Sequence, residues 1–251
     1  MIGTRLARRV ILSPNIEARA VGKVPRFLIL HYTGMDSAEK ACGWLCSRES
    51  KVSCHYLVDE QGAITQMVGE ELRAWHAGVS RWQGERDINS LSIGIEIQNP
   101  GHGGGYPDFP SIQMDAVADL SRDIIERHGI AAEDVLAHSD VAPGRKIDPG
   151  EKFDWAFLHG RGVGHWVAPE PISGGVFLQE GDQGDAVLAL QSLLKMYGYR
   201  IDTTGKYDKN TRIVVEAFQR HFRPAKVDGV ADHSTVATLH KLLKARPARA
   251  A

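Results

Sequence analysis

Cysteine is scarce: the 251 residues hold only Cys42, Cys46 and Cys54. An odd count, in a chain that reads as having no leader, argues against a disulfide framework. Cys42 and Cys46 stand four apart in a helical pattern, which suits the buried face of a helix better than a metal pair. No apolar run reaches the ~20 residues that a membrane-spanning helix needs. Excess charge of one sign is also missing. Thirty Lys and Arg against 31 Asp and Glu give a net charge of −1, which offers nothing for capturing nucleic acid or anionic lipid. The basic start, Met1 to Val10, runs into Asn15, Glu17, Arg19 and Lys23. A secretory signal would instead show an apolar stretch and a small-residue cleavage site. The expectation from this is a cytoplasmic protein.

What is present is a mixture of strand and helix patterns. Phe27-Leu28-Ile29-Leu30 reads as a buried strand that ends on His31. Asp36 or Ser37 can cap a helix with Ala38, Ala41, Cys42 and Leu45 on one face. Residues 54–59 and 63–68 form two strands around a turn at 60–62, and 73–80 reads as a loop. From Leu91 to Asn99, Leu91, Ile93, Ile95 and Ile97 alternate with Ser92, Gly94, Glu96 and Gln98. This strand sets Glu96 on the face opposite the isoleucines, and Gly94 leaves room for a close approach. A helix from Ser111 to His128-Gly129 and a short strand at Val135–Ala137 follow. The pattern predicts an α/β domain over 1–162, with a mixed central sheet flanked by helices.

Residues 163–176 are rich in Gly and Pro and read as a semi-rigid spacer. Beyond them, Gly205-x-x-Asp208-x-x-Thr211 recurs as Gly229-x-x-Asp232-x-x-Thr235, each before an apolar helical pattern. Aspartate as helix N-cap explains the repeat. With a helix beginning at Asp185, residues 177–245 are expected to form a small three-helix domain, followed by a frayed tail over 246–251.

The chemistry concentrates in Ala137-His138-Ser139-Asp140-Val141-Ala142-Pro143-Gly144-Arg145-Lys146-Ile147-Asp148-Pro149-Gly150. His138 and Asp148 offer nitrogen and oxygen donors of the kind a catalytic zinc takes, and His31 is a third. Glu96 suits a proton relay. Lys146 suits an oxyanion partner, lying on the side of Asp148 if the segment is extended. From spacing alone His55 and His76 are equally eligible ligands, and each of these groups could be an ordinary polar side chain.

Five motifs in order carry a family likeness: His31-Tyr32-Thr33; Val52-Ser53-x-His55-Tyr56-Leu57-Val58; Ala74-Trp75-His76-Ala77-Gly78-Val79-Ser80; Asn89-x-x-Ser92-Ile93-Gly94-Ile95-Glu96; and the segment from His138 to Gly150. Together they resemble the zinc N-acetylmuramoyl-L-alanine amidases of the AmpD/AmiD type. The resemblance implies zinc on His31, His138 and Asp148, Glu96 as general base, and Lys146 steadying the oxyanion. It implies that Tyr32, Trp75, His76 and Asn89 line the substrate groove, and that muropeptides or the sacculus are the partners. Residues 181–229 resemble a peptidoglycan-binding type 1 domain, which points to the periplasm as the alternative location. A muropeptide receptor without catalysis is the competing reading, and a complete set of ligands with Glu96 and Lys146 speaks against it.

Overall fold

The computed structural model describes residues 3–175 and 177–246. Eight strands are present among them: β1 (Arg9–Val10), β2 (Ile16–Ala18), β3 (Phe27–Tyr32), β4 (Tyr56–Val58), β5 (Ile64–Gln66), β6 (Leu72–Ala74), β7 (Ser92–Ile97) and β8 (Val135–Ala137). Six of them form one sheet in the order β1-β5-β4-β7-β3-β8. Only the β4–β5 hairpin is antiparallel, so the sheet is mixed but mostly parallel.

Strict alternation decides what each face of the sheet packs against. Leu28 and Leu30 of β3 and Ile93, Ile95 and Ile97 of β7 turn to one side. They meet Val117, Leu120 and Ile124 of the helix over Ser111–His128. Phe27 and Ile29 turn to the other side. Helices α1 (Ala38–Leu45), α2 (Ile88–Leu91), α3 (Ser111–His128), α4 (His138–Val141) and α5 (Trp155–Gly160) surround the sheet. Ser37 caps α1 by accepting the Lys40 amide, and Gly129 ends α3 in the left-handed conformation.

A second sheet pairs β2 with β6, Glu17 facing Arg73 in a 2.7 Å ion pair. The sequence suggested a loop from Arg73 onward. A three-residue strand is too short for alternation to register, and its partner lies far upstream.

The helical lobe consists of α6 (Asp185–Tyr197), α7 (Lys209–Phe222) and α8 (His233–Ala245). Asp208 and Asp232 are the N-caps of α7 and α8, accepting the amides of Thr211 and Thr235 at 2.8 Å each. The Gly-x-x-Asp-x-x-Thr repeat is therefore a capping repeat. Of the tail expected over 246–251, residues 247–251 lie outside the described residues. Arg246 lies over the Tyr197 ring.

The lobe packs on the sheet face that carries Phe27 and Ile29. Those two side chains, with Trp82, Leu136 and Val141, share one apolar cluster with Leu190, Leu194, Tyr197, Val214 and Phe218. Residues 163–175 run along this junction. His165 is buried against the Tyr197 hydroxyl at 2.9 Å, and Glu170 bonds Thr238 and Ser234 of α8.

One buried ion cluster fastens the first lobe. Glu70 accepts hydrogen bonds from Tyr56, Arg127 and His128. Burial pushes its carboxyl up, but these donors outweigh burial and hold it at about 2. A carboxyl depressed in the folded state stabilises above its ordinary value of about 4.3 and loses that contribution as pH falls toward 2. Glu70→Ala is expected to cost about 1–3 kcal/mol at pH 7, chiefly because the buried Tyr56 hydroxyl loses its acceptor while Arg127 keeps Asp123. Urea titrations should show a smaller difference from wild type at pH 3. An equal difference at both pH values would mean that the charge contributes nothing.

Candidate metal centre and catalytic cleft

Three adjacent parallel strands, β8, β3 and β7, end together, and their register decides which side chains meet. His31 pairs with Glu96, and residues in register on parallel neighbours point to the same face. On the other side Leu30 pairs with Ala137, so the next position places His138 beside His31. The chain then makes the single turn of α4 and a tight bend at Gly144, whose φ of 74° favours glycine. Asp148 returns to the site as the Ser139 amide donates to its carbonyl at 3.0 Å.

His31 Nδ1 and His138 Nδ1 are 2.9 Å apart, and Asp148 Oδ2 lies 3.1 Å from the first and 3.0 Å from the second. Among the described residues, no other three His, Cys, Asp or Glu side chains converge as a candidate metal site. His55 stands aside: its Nδ1 accepts the Gly94 amide at 3.1 Å.

The donor set fits a metal ion because the far nitrogens already have partners. His31 Nε2 meets His76 Nδ1 at 3.0 Å, and His76 Nε2 meets the Ser92 hydroxyl at 3.2 Å. That hydroxyl donates to the Ile88 carbonyl at 2.7 Å. Only one proton arrangement satisfies the whole chain. His31 donates from Nε2 and His76 donates to Ser92, which leaves the His31 Nδ1 lone pair free. His138 Nε2 faces the Ala77 carbonyl at 3.1 Å and donates there, freeing its Nδ1 in the same way. Outer partners of this kind fix the tautomer of a ligating imidazole.

The charge states agree. Burial, then the neighbouring His138, lowers His31 to about 4, so it is neutral at pH 7. Burial raises the Asp148 carboxyl, but the facing His138 and His31 outweigh burial and hold it far below the usual carboxylate range. The neutral His31 imidazole, the His138 imidazole and the Asp148 carboxylate form a zinc-type donor set with room for further ligands.

Glu96 stands beside this set with one oxygen, Oε2, buried and without a hydrogen-bond partner among the described residues. Burial, then the Asp148 charge, raises its carboxyl well above the ordinary range, and Lys146 opposes them. The cleft over these groups measures about 310 Å³ and is walled by Tyr32, Trp44, Trp75, His76 and Lys146. The Trp75 indole nitrogen is likewise buried and unpartnered among the described residues.

The sequence placed Lys146 near Asp148 by assuming an extended segment. The segment is instead a helical turn and a bend, with the Lys146 amide donating to the Ala142 carbonyl. Its side chain nevertheless lines the cleft. Asn89 does not line it. Its Oδ1 accepts the amides of His76 and Ala77 from beneath, at 3.2 and 2.8 Å, so it shapes the loop. The space that Gly94 leaves is filled by the His76 ring, 2.6 Å from where a Cβ would sit. Arg145, whose guanidinium binds the Ala77 and Val79 carbonyls, was not singled out by its sequence; only its place between two site residues hinted at it.

A family model for N-acetylmuramoyl-L-alanine amidase matches residues 21–151, more than half of the chain. The chain belongs to the N-acetylmuramoyl-L-alanine amidase family. A peptidoglycan binding domain model matches residues 183–239 of this amidase. It is 36% identical to AmiD of Escherichia coli K12 over 250 residues, covering 93% of this chain and 87% of AmiD. It is 31% identical to the 1,6-anhydro-N-acetylmuramyl-L-alanine amidase AmpD of the same organism, over 61% of this chain and 91% of AmpD. The structure of E. coli AmiD, in complex with the substrate anhydro-N-acetylmuramic acid-L-Ala-D-γ-Glu-L-Lys, superposes with a TM-score of 0.75 at 35% identity. It covers 91% of this chain and 93% of that one. AmpDh3 of Pseudomonas aeruginosa gives 0.74 at 32% identity, covering 92% and 96%. In this amidase no helix among the described residues is long and apolar enough to cross a membrane.

His76 is the support of His31, and its removal has a defined consequence. His76→Ala should weaken metal binding about 10–100-fold, the usual cost of losing an outer partner of a ligating imidazole. Competition with a chromogenic chelator measures it. Unchanged affinity would mean that His31 needs no such partner.

Proposed function

We propose that this amidase holds a zinc ion on His31 Nδ1, His138 Nδ1 and Asp148. With it the enzyme hydrolyses the amide between the lactyl group of N-acetylmuramic acid and L-alanine, in soluble muropeptides and, through its second lobe, in peptidoglycan. The observation that carries this reading is the convergence of three donor side chains, their ligand atoms all within 4.8 Å of one another, beside the unpartnered carboxyl oxygen of Glu96.

Bound there, zinc supplies a Lewis acid that polarises the amide carbonyl and acidifies water. Glu96 takes the proton of the attacking water and returns it to the leaving alanine nitrogen, without which the C–N bond does not break. Lys146 faces the charge that grows on the carbonyl oxygen. Tyr32 and Trp75 wall the cleft, and the Trp75 indole N–H is free to donate to a bound substrate. Asn89 holds the Trp75–Ala77 loop, and His76, which also walls the cleft, holds the His31 ring.

Removal and return of the metal test the assignment. Dialysis against a strong chelator should abolish release of L-alanyl peptide from a muramyl peptide, and about one zinc per chain should restore it. Full activity in protein shown to be metal-free would contradict it.

A further inference from the structure

We propose that the helical lobe is a positioning element for the metal-ligand segment, acting through His221 and Tyr199 on the carboxylate of Asp140. The proposal rests on the zinc reading above and gives the lobe a task besides any contact with the cell wall.

Asp140 lies two residues after His138 and is fully buried between the lobes. Its Oδ1 accepts the Tyr199 hydroxyl at 2.6 Å. Its Oδ2 accepts His221 Nδ1–H at 2.6 Å and the Ala137 amide at 2.8 Å. Two of the three donors come from the helical lobe. The short helix α4 that carries His138 and Asp140 is one turn long, and a single turn does not hold itself. Fixing Asp140 fixes that turn. Because the Ser139 amide bonds the Asp148 carbonyl, it also fixes the backbone of the third ligand.

Helix α7 meets the segment at two further points. Ile213 lies under the bend, its Cγ2 2.7 Å from where a Cβ on Gly144 would be. Arg220 pairs with Glu151, next to Gly150, at 3.5 Å. Ile213, Arg220 and His221 are spaced seven and eight apart, one face of a helix. His221 is itself held by stacking on Trp155 of the first lobe, with ring centroids 3.7 Å apart. A wall anchor swinging on a free linker would need none of this. With either lobe donor gone, the buried carboxylate loses one of its three hydrogen bonds, and α4 shifts to hydrate it, carrying His138 along.

The test compares zinc loss to excess chelator in full-length holoenzymes. His221→Leu and Tyr199→Phe each lose a donor. His221→Asn can still donate from its amide. Leu194→Ala weakens the shared core without touching Asp140. Thermal melts establish that the proteins compared are folded. The expected result is zinc loss about tenfold faster in His221→Leu and in Tyr199→Phe, on the scale of lost support around a metal ligand. His221→Asn and Leu194→Ala should keep the wild-type rate. Should His221→Leu not fold, Tyr199→Phe decides. Wild-type rates in the donor-less variants, or equal acceleration in Leu194→Ala, would overturn the proposal. A wild-type protein that takes up no zinc would instead refute the zinc reading.

Discussion

Glu96→Gln retains zinc at the wild-type level and lowers kcat by about 10²–10⁴-fold, the usual contribution of a positioned acid–base group. The side chain keeps its shape and place on β7, so the His31, His138 and Asp148 donors are undisturbed. What it loses is the ability to accept a proton from water and deliver it to nitrogen. The pH profile of the wild type carries the same signature. Burial, then the Asp148 charge, raises the Glu96 carboxyl, so the base is lost as pH falls through a value above the ordinary ~4.3. The acid limb of kcat/KM should therefore lie above that value. Residual activity near wild type in Glu96→Gln would assign the proton transfer to another group.

Asp148→Ala is expected to lose the metal and, with it, all measurable turnover. Its carboxylate is the only anion in the donor set, and both imidazoles face it within 3.1 Å. Removing it leaves only two imidazole nitrogens, 2.9 Å apart, which compete poorly for a dication. Elemental analysis of the purified variant should find well under one zinc per chain, with the circular dichroism of the sheet and helices retained. Full zinc occupancy in this variant would remove Asp148 from the ligand set.

These assignments were legible in the sequence to different depths. β3 and β7 could be read locally, because an apolar run and an alternation of isoleucines each state their own burial. The two capping aspartates of the helical lobe could be read in the same way, since Asp208 and Asp232 act within their own first turn. The meeting of His31, His138 and Asp148 could not. Spacing left His55 and His76 equally eligible, and only the five ordered motifs singled out the three. The parallel register then supplies the physical reason: His31, Glu96 and His138 sit at matched ends of adjacent strands, a pairing between segments far apart in the chain. His76 and Asn89 sit in those motifs, but the support they give becomes visible only when the His31–His76–Ser92 chain and the Asn89 contacts to the loop amides are traced. The Asp140 contact was the least legible of all. His221 follows it by 81 residues, and neither segment carries a local sign of the other.

The most direct test of the account is mass spectrometry of the products formed from an anhydro-muropeptide and from intact sacculi, each with and without chelator. The account predicts free peptides beginning with L-alanine, and a muramic acid product that keeps its lactyl group, from both substrates and only while the metal is present. Cuts within the stem peptide, cleavage that survives metal removal, or no cleavage by zinc-loaded protein would contradict it.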